Sequence, residues 1–150
     1  MQTNKVRQVV GQVDLIQSVD RLRLLRAIQN EAQKQNLVQN VLIQVNLGEE
    51  DSKAGVHEKD LMPLMEAAGA CDNIRVKGLM AIPPIAQTEA EARRYFARLF
   101  ELARQVEQRG FPHVTMEELS MGMSGSYEAA IKEGATIVRI GTEIYGRRPG

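Results

Sequence analysis

Short apolar segments alternate with amphipathic segments along nearly the whole chain of 150 residues. The apolar segments predict five strands, at residues 13–19, 41–47, 76–82, 114–120 and 136–140. The segments between them predict helices at residues 20–36, 58–70, 88–110 and 127–133. This order is typical of an α/β fold with a parallel sheet and right-handed crossovers. A complete (β/α) barrel needs about eight such units in about 250 residues, so the pattern predicts either an open doubly wound sheet or part of a barrel.

Two of the predicted helices have a defined apolar face. In the segment 88–110, Thr88 and Glu91 form a capping-box pattern and Gly110 is expected to end the helix. Its buried face is expected to contain Ala92, Tyr95, Leu99, Leu102 and Val106. The buried face of the helix at 20–36 is expected to contain Leu22, Leu25, Ile28 and Ala32.

Composition and charge exclude several classes of protein. The 19 basic residues balance 19 acidic residues, so no overall field favours nucleic acid or an anionic membrane. Cys71 is the single cysteine, and the two histidines have no further ligands at metal-binding spacing. Apolar runs are shorter than the ~20 residues of a membrane span, and the N-terminus lacks the apolar core of a signal peptide. We therefore expect one cytoplasmic domain over residues 1–150, with no metal, nucleic acid or membrane partner.

Two predicted strands in the last third of the chain end in small and hydroxyl-bearing residues. Residues 119–124 read Leu-Ser-Met-Gly-Met-Ser, and residues 139–146 read Arg-Ile-Gly-Thr-Glu-Ile-Tyr-Gly. Such strand ends expose backbone N–H groups. Many α/β barrels hold a phosphate between the loops of two late strands, beside a short helix. The pattern predicts a small ligand that carries a phosphate.

Six motifs along the chain resemble those of the YggS/PROSC family, the pyridoxal-phosphate homeostasis proteins. They lie at residues 2–5, 16–20, 45–46, 77–83, 119–124 and 138–146, so the resemblance covers the whole chain in unbroken order. The resemblance implies a parallel-stranded partial TIM-type (β/α) barrel with about five units of eight, like the N-terminal domain of alanine racemase. It also implies pyridoxal 5'-phosphate as the cofactor, bound at the carboxyl ends of the strands.

The candidate cofactor-binding residues are Ser18, Asn46, Ser120, Ser124, Arg139, Gly141 and Thr142. The last five match family residues, whereas Ser18 and Asn46 are candidates because they lie at strand ends that face the same mouth. Arg139 matches the arginine near the pyridine nitrogen, and Gly141 and Thr142 match residues that hold the phosphate. Ser120 and Ser124 match the hydroxyls of the second phosphate loop, and which of them makes the closer contact stays open. A guanidinium beside the pyridine nitrogen disfavours its protonation, which suits a carrier better than a broad catalyst.

The chain also departs from the family pattern. The family lysine that reacts with the cofactor lies on the first strand, whereas the matching sequence begins after the third, so three β/α units are expected to be absent. Lys5, Lys53 and Lys77 are candidate substitute amines, and Lys77 is the best placed. Gln17 stands where histidine is common. An opened barrel would have two unpaired edges, which predicts a homo-oligomer formed through those edges or poor stability.

Three functions remain open at this point. The favoured one is a non-catalytic protein that binds pyridoxal phosphate and maintains its homeostasis. The second is an enzyme of the alanine-racemase type, which requires the absent lysine and a second base. The third is a fragment that retains the phosphate loops but does not bind the cofactor.

Overall fold

The computed structural model describes residues 1–48 and 54–147. The strands are β1 (Leu15–Val19), β2 (Gln39–Asn46), β3 (Val56–His57), β4 (Ile74–Met80), β5 (Val114–Met123) and β6 (Ile137–Arg139). The helices are α1 (Val6–Val9), α2 (Leu22–Lys34), α3 (Glu58–Gly69), α4 (Glu89–Arg109), α5 (Tyr127–Lys132) and α6 (Thr142–Tyr145).

All strand pairs are parallel, in the order β1-β2-β4-β5-β6, with the two-residue β3 paired to β2. Along this main path, the spatial order of the strands is the same as their order in the chain. A doubly wound sheet reverses its strand order at a switch point, and this order does not reverse. The fold is therefore the partial (β/α) barrel and not the open doubly wound alternative.

The five predicted strands and four predicted helices are confirmed, with shifted ends. The strand β3 was not predicted, because two residues are too short to show a period. The strand β5 continues to Met123, three residues beyond its predicted end at 120. Ser120 consequently lies inside the strand and not in the loop that follows it.

The helices pack against one face of the sheet. Alternate strand residues on this face are fully or almost fully buried among them, such as Val41, Ile43 and Val45 of β2. The opposite face of the sheet is the interior of the partial barrel. Leu42 and Gln44, which alternate with the residues above, point to this interior and are also buried.

Two predicted core positions were wrong. Leu22 is 39% exposed, and Leu24 is buried in its place. The helix α2 begins at Leu22, two residues later than predicted. The side chain of Leu22 therefore lies at the end of the helix, where solvent reaches it. Tyr95 is only half-buried, whereas its neighbour Phe96 is completely buried. A tyrosine hydroxyl needs a polar partner or water, which favours the phenylalanine in the core.

The ends of α4 are as the sequence predicts. The hydroxyl of Thr88 accepts a hydrogen bond from the N–H of Glu91 at 3.2 Å. The carboxylate of Glu91 accepts from the N–H of Gln87 at 2.8 Å, one residue earlier than in the usual capping box. Gly110 ends the helix in the left-handed conformation, with φ of 64°. These contacts fix the loop that joins β4 to α4.

Gly78 lies at the closest approach of β4 and β5. A Cβ at this position would lie 1.7 Å from the carbonyl oxygen of Glu118, far inside van der Waals contact. The register between the strands shifts beside this glycine, and Met80 then pairs with Ser120. Gly78 thus sets the level at which the ends of the two strands meet.

We expect the substitution Gly78→Ala to lower the free energy of unfolding by about 3 kcal/mol, because the added methyl group forces the strands apart. Chemical denaturation followed by circular dichroism measures this. Gly125→Ala is the matched control, since a Cβ there meets no heavy atom of the described residues within 4 Å, and it should change the free energy by less than about 0.5 kcal/mol. Equal midpoints for the two variants would show that the close approach imposes no constraint.

Candidate ligand-binding site

Ser124 connects the loops that follow β5 and β6. Its hydroxyl oxygen accepts hydrogen bonds from the N–H of Gly141 at 3.3 Å and from the N–H of Glu143 at 3.5 Å. Gly141 immediately precedes α6, and Thr142 is the first residue of that helix. The sequence predicted that these two loops would meet, and the structure brings Ser124, Gly141 and Thr142 together at one place.

The loop after β5 is held by its own contacts. The hydroxyl of Ser126 accepts from the N–H of Met123 at 3.3 Å, and the N–H of Ser126 donates to the Met123 carbonyl at 2.9 Å. Gly122 has a positive φ of 95°, and a Cβ there would lie 2.6 Å from the Cβ of Ala130. The glycine therefore allows α5 to pack closely against the end of β5, which fixes the position of Ser124.

The space beside Gly141 is open. A Cβ at Gly141 would meet no heavy atom of residues 1–48 and 54–147 within 4 Å. Weakly bonded N–H groups and a hydroxyl at the edge of an open space form the kind of donor set that binds a phosphate. The residues present therefore fit the phosphate group of a ligand such as pyridoxal 5'-phosphate.

Arg139 is the cation of the site. One terminal nitrogen of its guanidinium donates to the hydroxyl of Ser120 at 2.5 Å, and the other donates to the carbonyl of Ala81 at 2.8 Å. Burial lowers the pKa of Arg139, and no carboxylate offsets this effect in the part of the chain that the structure describes. A partly buried guanidinium without a counter-ion favours an electron-rich partner.

Ser120 is completely buried in the barrel interior. Its hydroxyl donates to the side-chain oxygen of Gln17 at 2.6 Å and accepts from Arg139. The resemblance implied Ser120 as a phosphate ligand beside Ser124. The structure places the two serines in different surroundings, with Ser120 bonded to side chains in the interior and Ser124 at the open loops.

Ser18 and Asn46 lie at the ends of β1 and β2 and bond to other parts of the chain. The carbonyl of Ser18 is 3.5 Å from the terminal ammonium of Met1. The buried side chain of Asn46 accepts from the N–H of Gly48 at 3.2 Å. Both residues are at the predicted mouth, on strands that lie on the other side of β4 from the two loops.

The candidate amines differ in position. The ammonium of Lys77 is 3.6 Å from the carboxylate of Glu117. Lys77 precedes Met80, the partner of Ser120, by three residues, which corresponds to about 10 Å along the strand. Lys5 is exposed in a short 3-10 turn before α1. Lys53 lies outside the described residues.

A cavity of about 680 Å³ adjoins the loops and includes Ser124 and Glu143 in its lining. Ala92 and Phe96 of α4 line it on the apolar side. Tyr127 and Glu128 also line it, and the carboxylates of Glu128 and then Glu143 raise the pKa of Tyr127.

Two further observations concern residues 1–48 and 54–147. No group of three or more histidine, cysteine, aspartate or glutamate side chains in these ranges is arranged to hold a metal ion. None of the helices that the structure describes there has both the length and the apolar character to cross a bilayer.

Gln17 and the Ala81 carbonyl are contacts that the sequence did not predict. Gln17 drew attention only as a departure from the family pattern. Its contact with Ser120 joins residues 103 positions apart, and no local pattern reports such a distance. The carbonyl of Ala81 is a backbone group, and any residue type would supply it.

Known proteins resemble this chain along its length. The family of the alanine racemase N-terminal domain matches residues 1–149. A pyridoxal phosphate homeostasis protein of Aquifex aeolicus is 48% identical over 148 residues, which are 99% of this chain and 64% of that protein. Its counterpart in Escherichia coli is 38% identical over 154 residues, 99% of this chain and 62% of that protein. The chain thus spans somewhat less than two thirds of the length of these curated relatives.

Solved structures agree with the sequence comparison. PipY of Synechococcus elongatus with PLP bound has a TM-score of 0.89 and 33% identity, over 97% of this chain and 67% of PipY. An unknown protein from Bifidobacterium adolescentis has a TM-score of 0.91 and 37% identity, over 97% of this chain and 58% of that one. Diaminopimelate decarboxylase from Helicobacter pylori, at 12% identity and a TM-score of 0.75, shares the fold. The chain therefore belongs to the alanine racemase N-terminal domain family and, within it, to the YggS/PROSC group of pyridoxal phosphate homeostasis proteins.

Proposed function

We propose that this chain binds pyridoxal 5'-phosphate and takes part in its homeostasis as a non-catalytic carrier or regulator of cytoplasmic vitamin B6. The observation that carries the proposal is the meeting of the two late loops, where Ser124 faces the N–H groups of Gly141 and Glu143 beside an open space. The names of the relatives and the cofactor bound to PipY support the same ligand.

Ser124, Gly141 and Thr142 hold the phosphate in this proposal. The hydroxyl of Ser124 now bonds at the long distances of 3.3 and 3.5 Å, so it can turn to donate to a phosphate oxygen at little cost. Ser120 lacks this freedom, because it is buried and bonded to two side chains. Its role is instead to hold Arg139. Ser18 and Asn46 form the far rim of the mouth.

Arg139 faces the ring of the ligand in this proposal. A guanidinium only donates hydrogen bonds, so a pyridine nitrogen beside it must accept and remains unprotonated. The bound cofactor supplies a reactive aldehyde and an electron-withdrawing ring, and this ring withdraws less when its nitrogen is unprotonated. The site thus retains the molecule and gives little help to reactions that need a strong electron sink.

The position of Lys77 supports a non-catalytic role over an alanine-racemase-like enzyme. Racemisation requires an amine that reacts with the aldehyde and a base on each face of the substrate. The best candidate, Lys77, is paired with Glu117 and lies about 10 Å before the level of Ser120 on the strand. Its distance from the mouth favours storage of the cofactor over catalysis.

We expect saturable binding of pyridoxal phosphate to the purified chain in an absorbance titration. Ser124→Ala should weaken binding about tenfold, because one hydrogen bond to a charged group is lost. The matched control is Thr115→Val on the same strand, since the Thr115 hydroxyl bonds within the fold to the Val76 carbonyl and to Glu117. It should leave the affinity unchanged.

Two outcomes of this titration decide between the alternatives. Absence of saturable binding would identify a fragment that keeps the loops without the function. Binding together with racemisation of alanine, and with one lysine labelled after borohydride reduction, would favour the enzyme. Peptide mass analysis identifies the labelled residue, and Lys77 is the first position to inspect.

The edges of the sheet support a second proposal, that the chain forms a homo-oligomer. Among the described strands, β1 and β6 end the path and each pairs with one neighbour only. Unpaired strand edges expose backbone N–H and C=O groups that readily pair with another chain.

Sedimentation velocity over a hundredfold range of concentration tests this second proposal. We expect a dimer that dissociates on dilution, because edge pairing is a mass-action equilibrium. A monomer with one sharp unfolding transition at every concentration would show that the edges do not associate.

A further inference from the structure

Gln17 and Ser120 lie on strands that are not neighbours in the sheet. The strands β2 and β4 separate β1 from β5. Three strand spacings of about 4.8 Å would put β1 and β5 about 14 Å apart in a flat sheet. The side-chain oxygen of Gln17 is nevertheless 2.6 Å from the hydroxyl oxygen of Ser120. The sheet is curved enough for this hydrogen bond to cross the barrel interior.

The chemistry of the three groups fixes the direction of each hydrogen bond. Arg139 has donors only, so the hydroxyl of Ser120 must accept from it. The single hydrogen of that hydroxyl then needs an acceptor, because Ser120 is completely buried. The amide oxygen of Gln17 is that acceptor. The result is one chain of bonds from Arg139 through Ser120 to Gln17.

A separate hydrogen bond ties Arg139 to Ala81, the residue that follows β4. The N–H of Ala81 donates to the Ser120 carbonyl at 3.0 Å, and the carbonyl of Ala81 accepts from Arg139 at 2.8 Å. The guanidinium is thereby held at two points, one of which depends on the orientation of the Ser120 hydroxyl. Within residues 1–48 and 54–147 the guanidinium makes no other hydrogen bond, so its remaining N–H groups can meet a ligand.

We propose that Gln17 is a positioning residue for the ligand ring, which acts through Ser120 and fixes the guanidinium of Arg139. The side-chain oxygen of Gln17 accepts a hydrogen bond from the Ser120 hydroxyl, so the Ser120 oxygen presents a lone pair to Arg139. Without this acceptor the hydroxyl turns to donate elsewhere, and Arg139 loses one of its two fixed contacts. The inference rests on the proposed function, because the ring is the group that Arg139 faces there.

The first test compares Gln17→Met, which has a similar shape and only a weak thioether acceptor, with Gln17→Glu, which retains a strong oxygen acceptor. Titrations use pyridoxal phosphate and, separately, inorganic phosphate, which reports on the loops alone. Gln17→Met should weaken the affinity for pyridoxal phosphate about tenfold and leave the affinity for inorganic phosphate unchanged. Gln17→Glu should keep both affinities within about threefold of the original values. Gln44→Met, a buried glutamine of β2, is the matched control and should change neither affinity.

A double-mutant cycle provides a second test. If Gln17 acts through Ser120, the double variant Gln17→Met with Ser120→Ala should bind pyridoxal phosphate no more weakly than Ser120→Ala alone. Additive losses would overturn the proposal, as would an equal loss of affinity for inorganic phosphate in Gln17→Met.

A third readout needs no ligand. The guanidinium N–H signals of Arg139 in a nitrogen-15 NMR spectrum of the free chain should be sharp, lost in Gln17→Met and retained in Gln17→Glu. Unchanged signals in Gln17→Met would overturn the inference. This readout separates the two proposals: if the chain fails to bind pyridoxal phosphate, the proposed function is wrong, while the spectra still decide whether Gln17 fixes Arg139.

Discussion

The helices that the structure describes cover one face of a parallel sheet, so the other face is buried where the sheet curves over itself. Leu42 and Gln44 are buried on that inner face. The hydrogen bond from Ser120 to Gln17 crosses the interior between strands that are not neighbours. The position of Arg139, and with it the candidate site, depends on this curvature, because the Ser120 hydroxyl reaches both Gln17 and the guanidinium.

The candidate site divides into two parts with different physical character. The loops near Ser124 are open and present backbone N–H groups, which suits a phosphate that keeps part of its hydration. Arg139 is partly buried, which lowers its pKa and suits an uncharged hydrogen-bond acceptor such as the nitrogen of a planar ring. A ligand with a phosphate at one end and an aromatic nitrogen at the other fits both parts.

The sequence predicted the elements with strong local patterns and missed those that depend on the tertiary structure. The helix α4 was predicted almost to the residue, because Thr88 and Gly110 mark its ends. The five main strands were predicted because buried parallel strands are nearly all apolar. Leu22 was misplaced because the helical period alone does not fix where the first turn begins.

The candidate site was predicted in outline for the same reason. The loop residues Ser124, Gly141 and Thr142 follow apolar strands, and strand ends are visible in a sequence. The sequence did not predict the different surroundings of Ser120 and Ser124, because the end of β5 at Met123 depends on the pairing of β5 with β6. The contact of Gln17 with Ser120 depends on how strongly the whole sheet curves, which no segment of sequence encodes.

The edge strand β6 has only three residues, and side chains supply part of its attachment to β5. Arg139 bonds to Ser120, while the Thr136 hydroxyl just before the strand accepts from the N–H of Leu119 at 2.8 Å. Local opening of this edge would therefore dismantle the cation end of the site at the same time. By thermodynamic linkage, any molecule that binds Arg139 also holds the edge of the sheet closed, so occupancy of the site and order of the edge rise and fall together.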